Sequence, residues 1–197
     1  MTSISPPAVI LAGGAGRRLG GNKPFHTYDG RTLISAVIAR LKPQTDQLFI
    51  NSGPFDRLHN ALAGVGIELC FDDPRYCDLG PLTGVHAALI KISELGGSAV
   101  VTAPCDMPNL PTDMIARVVE GHADGDDITY FQGARDYPLC ALWSVRLLPH
   151  IEHALEGARG AGGLAVMAYL KTCKVGTIAV TDDVAFMNIN RPSPPPA

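Results

Sequence analysis

The stretch Ala8-Val9-Ile10-Leu11-Ala12-Gly13-Gly14-Ala15-Gly16-Arg17-Arg18-Leu19-Gly20-Gly21-Asn22-Lys23 decides the fold. It opens as an apolar run with β-branched residues, long enough for a buried strand and too short for a helix. It then runs straight into glycines. Glycines at the C-terminal end of a strand let the backbone approach a ligand and turn N–H groups toward it. That end is where open α/β sheets bind ligands. Arg17, Arg18 and Lys23 follow within a few residues. Backbone dipoles for positioning, with fixed cations for neutralisation, are what a triphosphate requires.

Two well-known glycine loops do not fit. A dinucleotide fingerprint counted from Gly14 needs a glycine where Leu19 stands, and a Walker loop needs G-K-[ST] where the chain reads Gly21-Asn22-Lys23-Pro24. The plain alternative is a glycine turn flanked by surface arginines. Matches elsewhere along the chain weigh against it.

Outward from this loop, short β-branched runs alternate with segments of helical period, the pattern of an α/β fold with a mainly parallel sheet. The spacing predicts strands over 8–12, 47–51, 67–71, 98–103, 127–131, 139–144 and 175–180, and helices over 32–41, 55–63, 82–94, 112–120, 146–156 and 163–170. The helix after the third strand is the most strongly specified. Pro81 suits a first helical position, Val85, Ala88, Leu89 and Ile92 recur at spacings of three and four, and Gly96-Gly97 ends it. No repeat or linker interrupts the 197 residues, so the reading is one domain over 1–197, with the proline-rich end, 192–197, as a frayed tail.

Composition narrows the function. The formal net charge is −3, which offers no basic field to nucleic acid. Apolar runs fall short of the roughly 20 residues of a membrane helix, and Met1 to Pro7 lacks a signal-type segment. Cys70, Cys77, Cys105, Cys140 and Cys173 form no C-x-x-C pair, which argues against zinc and for reduced thiols in a cytoplasmic protein.

The opening stretch resembles the L-A-G-G-x-x-x-R-[ML]-G-G-x-D-K signature of the MobA molybdenum cofactor guanylyltransferases, α/β nucleotidyltransferases with a Rossmann-like three-layer α/β/α fold. The resemblance extends over nearly all of Ala8 to Pro192. It implies that Leu11, Ala12, Gly13 and Gly14 hold the guanine nucleotide, that Lys23 contacts phosphates, and that Arg17 and Arg18 line the same pocket. It implies transfer of GMP from GTP to molybdopterin, the molybdenum cofactor, with transient contact to cofactor-delivery proteins or molybdoenzymes. Asn22 stands where the family has aspartate, in a loop one residue shorter.

Attack of one anionic phosphate on another calls for a divalent metal, and Mg²⁺ prefers a few carboxylates with water and phosphate oxygens. The candidate ligand is Asp106 in Pro104-Cys105-Asp106-Met107-Pro108, delivered by the fourth strand and flanked by two prolines. This segment is similar to the family's P-C-D-x-P, whose aspartate binds magnesium; the plain alternative is a helix-capping acid near Thr112. Asp72-Asp73 ends the third strand. Counting back from Gly80-Pro81-Leu82-Thr83-Gly84, which matches the family's G-P-L-x-G, selects Asp73 as the nucleotide contact and leaves Asp72 open. Asn51, ending the second strand, matches a nucleotide-contacting position and equally suits a turn. Phe186-Met187-Asn188-Ile189-Asn190-Arg191-Pro192 resembles F-x-N-[IV]-N-T-P, and alternation puts Asn188 and Asn190 on one face. The resemblance places Asn188 near the metal. Tyr137-Pro138-Leu139-Cys140-Ala141-Leu142-Trp143 resembles a segment facing the pterin, with Tyr137 in place of histidine.

The catalytic candidates are therefore Lys23, Arg17 and Asp106, with Lys23 and Arg17 stabilising the pyrophosphate leaving group. His150 and His153 read as a solvated helix face, Asp126-Asp127 and Asp182-Asp183 as solvated turns, and Cys105 as no nucleophile for want of a base. Two other functions stay open: a cytidylyltransferase of the same fold, and an inactive nucleotide-binding partner in cofactor delivery.

Overall fold

The computed structural model describes residues 5–13, 23–53, 60–61 and 66–189. Gly14, Arg17, Arg18, Asn22 and Asn190, most of the helix expected over 55–63, and the tail lie outside the described residues. Strands β1 (Ala8–Leu11), β2 (Thr27–Tyr28), β3 (Arg31–Thr32), β4 (Leu48–Ser52), β5 (Glu68–Phe71), β6 (Ala99–Pro104), β7 (Ile128–Gln132), β8 (Asp136–Ser144) and β9 (Val175–Ala179) are interleaved with helices. The helices are α1 (Leu33–Leu41), α2 (Leu82–Glu94), α3 (Met114–Glu120), α4 (Leu148–Ala158) and α5 (Val166–Leu170).

Among the described residues, seven strands form one sheet in the order β5-β4-β1-β6-β8-β7-β9. Only β8 runs against its neighbours β6 and β7; the remaining pairs are parallel. The reversal follows from chain length. The few residues between β7 and β8 allow a hairpin, whereas a parallel return needs a crossover of a dozen or more. A separate hairpin joins β2 to β3. Its turn is Asp29-Gly30, both with positive φ, the dipeptide that two-residue hairpins prefer. Strands this short carry no apolar run, so the run-based reading omits them.

Alternation along each strand divides the apolar residues between two faces. Ala8 and Ile10 face Ile34, Val37 and Leu41 of α1 and Met114, Ile115 and Val118 of α3. Val9 faces the other way, toward Leu82, Val85, Leu89 and Ile92 of α2 and Ile151 and Leu155 of α4. The result is the expected three-layer α/β/α architecture. Helix α2 has the predicted bounds. Gly96, at φ +75°, takes the left-handed position that stops it, and the Gly97 N–H returns to the Ile92 carbonyl at 2.9 Å. The last helix is shorter than predicted, starting at Val166 rather than 163, because Gly163 at φ +114° lies outside helical space. No helix among the described residues is long and apolar enough to cross a membrane.

Of the four turn acids, Asp182 is exposed as expected, and the others are more engaged. Asp126 is buried. Asp127 accepts from the Lys174 N–H at 2.8 Å and from Arg146 Nε at 3.0 Å. Asp183 accepts from the Tyr137 hydroxyl and the Ala134 N–H. The Asp127 and Asp183 carboxylates staple chain segments that are distant in sequence, which local composition does not reveal.

Candidate active site

Parallel register builds the site. Leu11 of β1 is paired with Asn51 of β4 on one side and with Pro104 of β6 on the other. Ala12 N–H bonds the Asn51 carbonyl at 3.0 Å, and Cys105 N–H bonds the Leu11 carbonyl at 3.1 Å. Asp72 N–H, just past β5, bonds the Ser52 carbonyl at 3.0 Å. The C-terminal ends of four strands are thereby held level, and a cleft of about 680 Å³ opens along them. Leu11, Ala12, Gly13, Lys23, Asn51 and Asp106 all line it.

At one end of the cleft Asp72, Asn51 and Thr83 form a buried polar cluster. Asn51 Nδ2 donates to Asp72 Oδ1 at 2.8 Å, and Thr83 Oγ1 lies 3.3 Å from Asp72 Oδ2. Burial pushes the Asp72 carboxyl above its ordinary pKa, and the bonds from Asn51 and Thr83 oppose that shift. Two glycines make the cluster sterically feasible. A Cβ on Gly13 would come within 2.9 Å of Asp72 Oδ2 and 3.0 Å of Asn51 Oδ1, and one on Gly84 within 2.5 Å of Asn51 Oδ1. The first described glycine of the loop thus leaves room for neighbouring side chains, besides letting a ligand approach.

At the centre, Lys23 in the short turn Lys23–Phe25 forms an ion pair with Asp106, 83 residues away in sequence. Asp106 is 7% exposed. Its carbonyl accepts from the Ile189 N–H at 2.8 Å, which lays the C-terminal segment over the site and brings Asn188 to the cleft wall. Among the described residues no group of three or more His, Cys, Asp or Glu could hold a metal. A divalent ion here would take one carboxylate, from Asp106, and complete its shell with phosphate and water. That donor set suits Mg²⁺ rather than a cation caged by protein.

At the far end lie Arg135, just before β8, and Asp136, Tyr137, Pro138 and Leu139 at its start. Tyr137 is buried, its ring 4.9 Å from that of Phe186. Its hydroxyl donates to Asp183 at 2.5 Å.

Asp73 does not line the cleft. It caps the turn Pro74–Tyr76 by accepting from the Arg75 N–H at 2.8 Å, and binds the Arg75 guanidinium at 2.7 and 2.9 Å. That pairing holds its carboxyl below the usual range. Counting from the downstream glycines therefore selects the wrong neighbour for the cleft: Asp72 faces inward and Asp73 faces Arg75. Asn51 reaches the cleft, but its amide is given to Asp72. Cys105 is buried, its thiol pushed up to about 12 by burial and by Asp106, so it is held as a thiol. His150 meets the Tyr169 hydroxyl at 3.0 Å. Sequence reasoning passed over Thr83, Arg135 and Asp136; a threonine after a Gly-Pro-Leu turn and an Arg-Asp pair in a hairpin carry no distinctive local signal.

The profile of the MobA-like NTP transferase domain matches residues 8–173. A Cereibacter sphaeroides protein named molybdenum cofactor guanylyltransferase is 34% identical over 185 residues, 93% of this chain and 90% of that protein. One of the same name from Photobacterium profundum is 32% identical over 187 residues, with the same coverage. The crystal structure of molybdopterin-guanine dinucleotide biosynthesis protein A from Archaeoglobus fulgidus superposes with a TM-score of 0.76 at 24% identity, over 94% of this chain and 93% of that one.

Proposed function

The chain belongs to the MobA-like NTP transferase family, and on that premise we propose that it is a Mg²⁺-dependent guanylyltransferase of molybdenum cofactor biosynthesis, built as a single domain. Its substrates are GTP and molybdopterin, and its products are the guanine dinucleotide cofactor and pyrophosphate. The observation that carries the reading is the strand-end row: Gly13, the Asn51–Asp72 pair and the Lys23–Asp106 pair on one wall of one cleft. The guanylyl choice is supported by the curated relatives that bear that name.

In this reading an oxygen of the acceptor's terminal phosphate forms a bond to the α-phosphorus of GTP while the bond to the β-phosphate oxygen breaks. Pyrophosphate leaves with that electron pair. The chain's residues position and neutralise rather than react covalently. The N–H groups of the loop at Gly13 and Gly14 orient the phosphates. Lys23, with Arg17, offsets the charge that develops on the leaving group. Asp72, in place of Asp73, meets the guanine nucleotide, and Asn51 holds Asp72. Asp106 would hold Mg²⁺, with Asn188, on the same cleft wall, as the second candidate ligand. When bound, the ion neutralises charge so that one anionic phosphate can approach another. The unpaired cysteines support a cytoplasmic location, where contacts with delivery proteins or molybdoenzymes would be transient.

Pyrophosphate release with purified molybdenum cofactor, GTP or CTP, and Mg²⁺ tests this. GTP should be the preferred donor, and Asp106→Ala should lower turnover at least 100-fold with an unchanged melting temperature. Preference for CTP overturns the guanylyl assignment, binding without release overturns the enzyme, and wild-type rates in the Asp106 variant overturn the metal site.

A further inference from the structure

The order of the strands gives the cleft a direction. Along the ligand edge the sheet runs β5, β4, β1, β6, β8. Asp72 follows β5, Gly13 follows β1, Asp106 follows β6, and Arg135 immediately precedes β8, whose reversed direction brings its first residues to the same edge. If the nucleotide occupies the β5–β1 half and reacts beside Asp106, the acceptor must enter from the β8 half. Among the described residues of the cleft wall, Lys23 and Arg135 are the cations. Lys23 is engaged with Asp106 at the centre. That leaves Arg135, among the described residues, as the positive group of the acceptor half.

The turn that carries Arg135 is tightly held. Asp183 accepts from the Ala134 N–H at 3.0 Å and from the Tyr137 hydroxyl at 2.5 Å, so one carboxylate clasps the chain on both sides of Arg135. The Gly133 N–H closes the turn on the Arg135 carbonyl at 2.9 Å. The neighbouring acid, Asp136, is already occupied, accepting from Tyr130 at 3.0 Å and Gln132 at 2.7 Å. Phe186, three residues after Asp183, packs on Phe131 and Tyr137, and Ile189, three further on, bonds Asp106. A single short segment thus spans from the arginine's turn to the central carboxylate.

We propose that Arg135 binds the phosphate of the acceptor, and that Asp183, through the Ala134 N–H and the Tyr137 hydroxyl, is the positioning residue that sets where its guanidinium reaches. This rests on the proposed transfer to a phosphorylated pterin. A guanidinium presents paired donors to a phosphate, so charge and geometry both contribute.

The test compares wild type, Arg135→Ala, Arg135→Lys and Asp183→Asn, with equilibrium binding of purified molybdenum cofactor and of GTP measured separately, alongside the KM for each in turnover. The expected result is a 10- to 100-fold weaker affinity and higher KM for the acceptor in Arg135→Ala (about that range for a charge-assisted bond). GTP affinity should stay within about twofold, Arg135→Lys should recover part of the loss, and Asp183→Asn should show a smaller loss of the same kind. Unchanged acceptor affinity in Arg135→Ala, with wild-type turnover intact, overturns this proposal and leaves the guanylyltransferase reading standing. Equal losses for GTP and acceptor also overturn it, since they mark a general disturbance of the site. A wild-type chain that binds GTP but no molybdenum cofactor overturns both.

Discussion

Asp72 sits under two opposed demands. The proposed function calls for a carboxylate at the end of β5, yet burial raises the free energy of its charged form. Asn51 and Thr83 offset part of that cost by hydrogen bonds. Because the folded-state pKa lies above the ordinary value of 3.8, the folded protein binds this proton more tightly than the unfolded chain. Its contribution to stability is therefore fully present below 3.8 and is lost as pH rises through the raised value. Asp72→Asn should accordingly melt at a higher temperature than wild type at pH 7, with the gap closing as pH falls toward 3.8. The same variant should bind GTP about 10-fold or more weakly, the usual effect of losing a charged hydrogen-bond partner. Melting curves across pH, with GTP titrations at pH 7, check both halves. The sequence brings the choice down to two adjacent acids. Which one faces inward depends on the exit direction of β5 and on Arg75, whose guanidinium reaches both Asp73 and Glu152.

At the level of elements, legibility follows how local the stabilising interactions are. Helix α2 could be read to its ends because its apolar stripe, its proline and its terminal glycines lie within one segment. Helix α1 is similar: Thr32 caps it by accepting from the Ser35 N–H at 3.3 Å. Thr32→Ala should cost about 1 kcal/mol and lower the melting temperature by about 2–4 °C, while Thr32→Ser should stay near wild type. Thermal denaturation of the pair checks this; equal losses in both would point away from the cap. The C-terminal segment is the opposite case. Its motif was legible as Phe186 and Asn188, but its attachment was not, because Asp183 answers Tyr137 and Ala134, which lie far back in the chain.

Across the whole molecule, two apolar faces on one sheet account for the thiols as well as the core. Cys70, Cys105 and Cys140 are buried, and burial raises all three, the first two up to about 12. Cys77 and Cys173 are half-buried and are raised as well. At pH 8 a disulfide reagent should label Cys77 and Cys173 first and slowly, and reach the remaining three only after guanidinium unfolding. Rapid labelling of all five in the native protein would contradict this packing. The sequence by itself determined the α/β alternation, the strand that ends in glycine, the acid after β6 and the family likeness, because periodicity, turn chemistry and short motifs are written within single segments. Only the tertiary structure decided that Asp72 rather than Asp73 enters the cleft, that Asn51 serves Asp72, and that Arg135 stands at the far end. These depend on strand order and on bonds between distant segments, and one residue's difference in register moves a side chain to the opposite face.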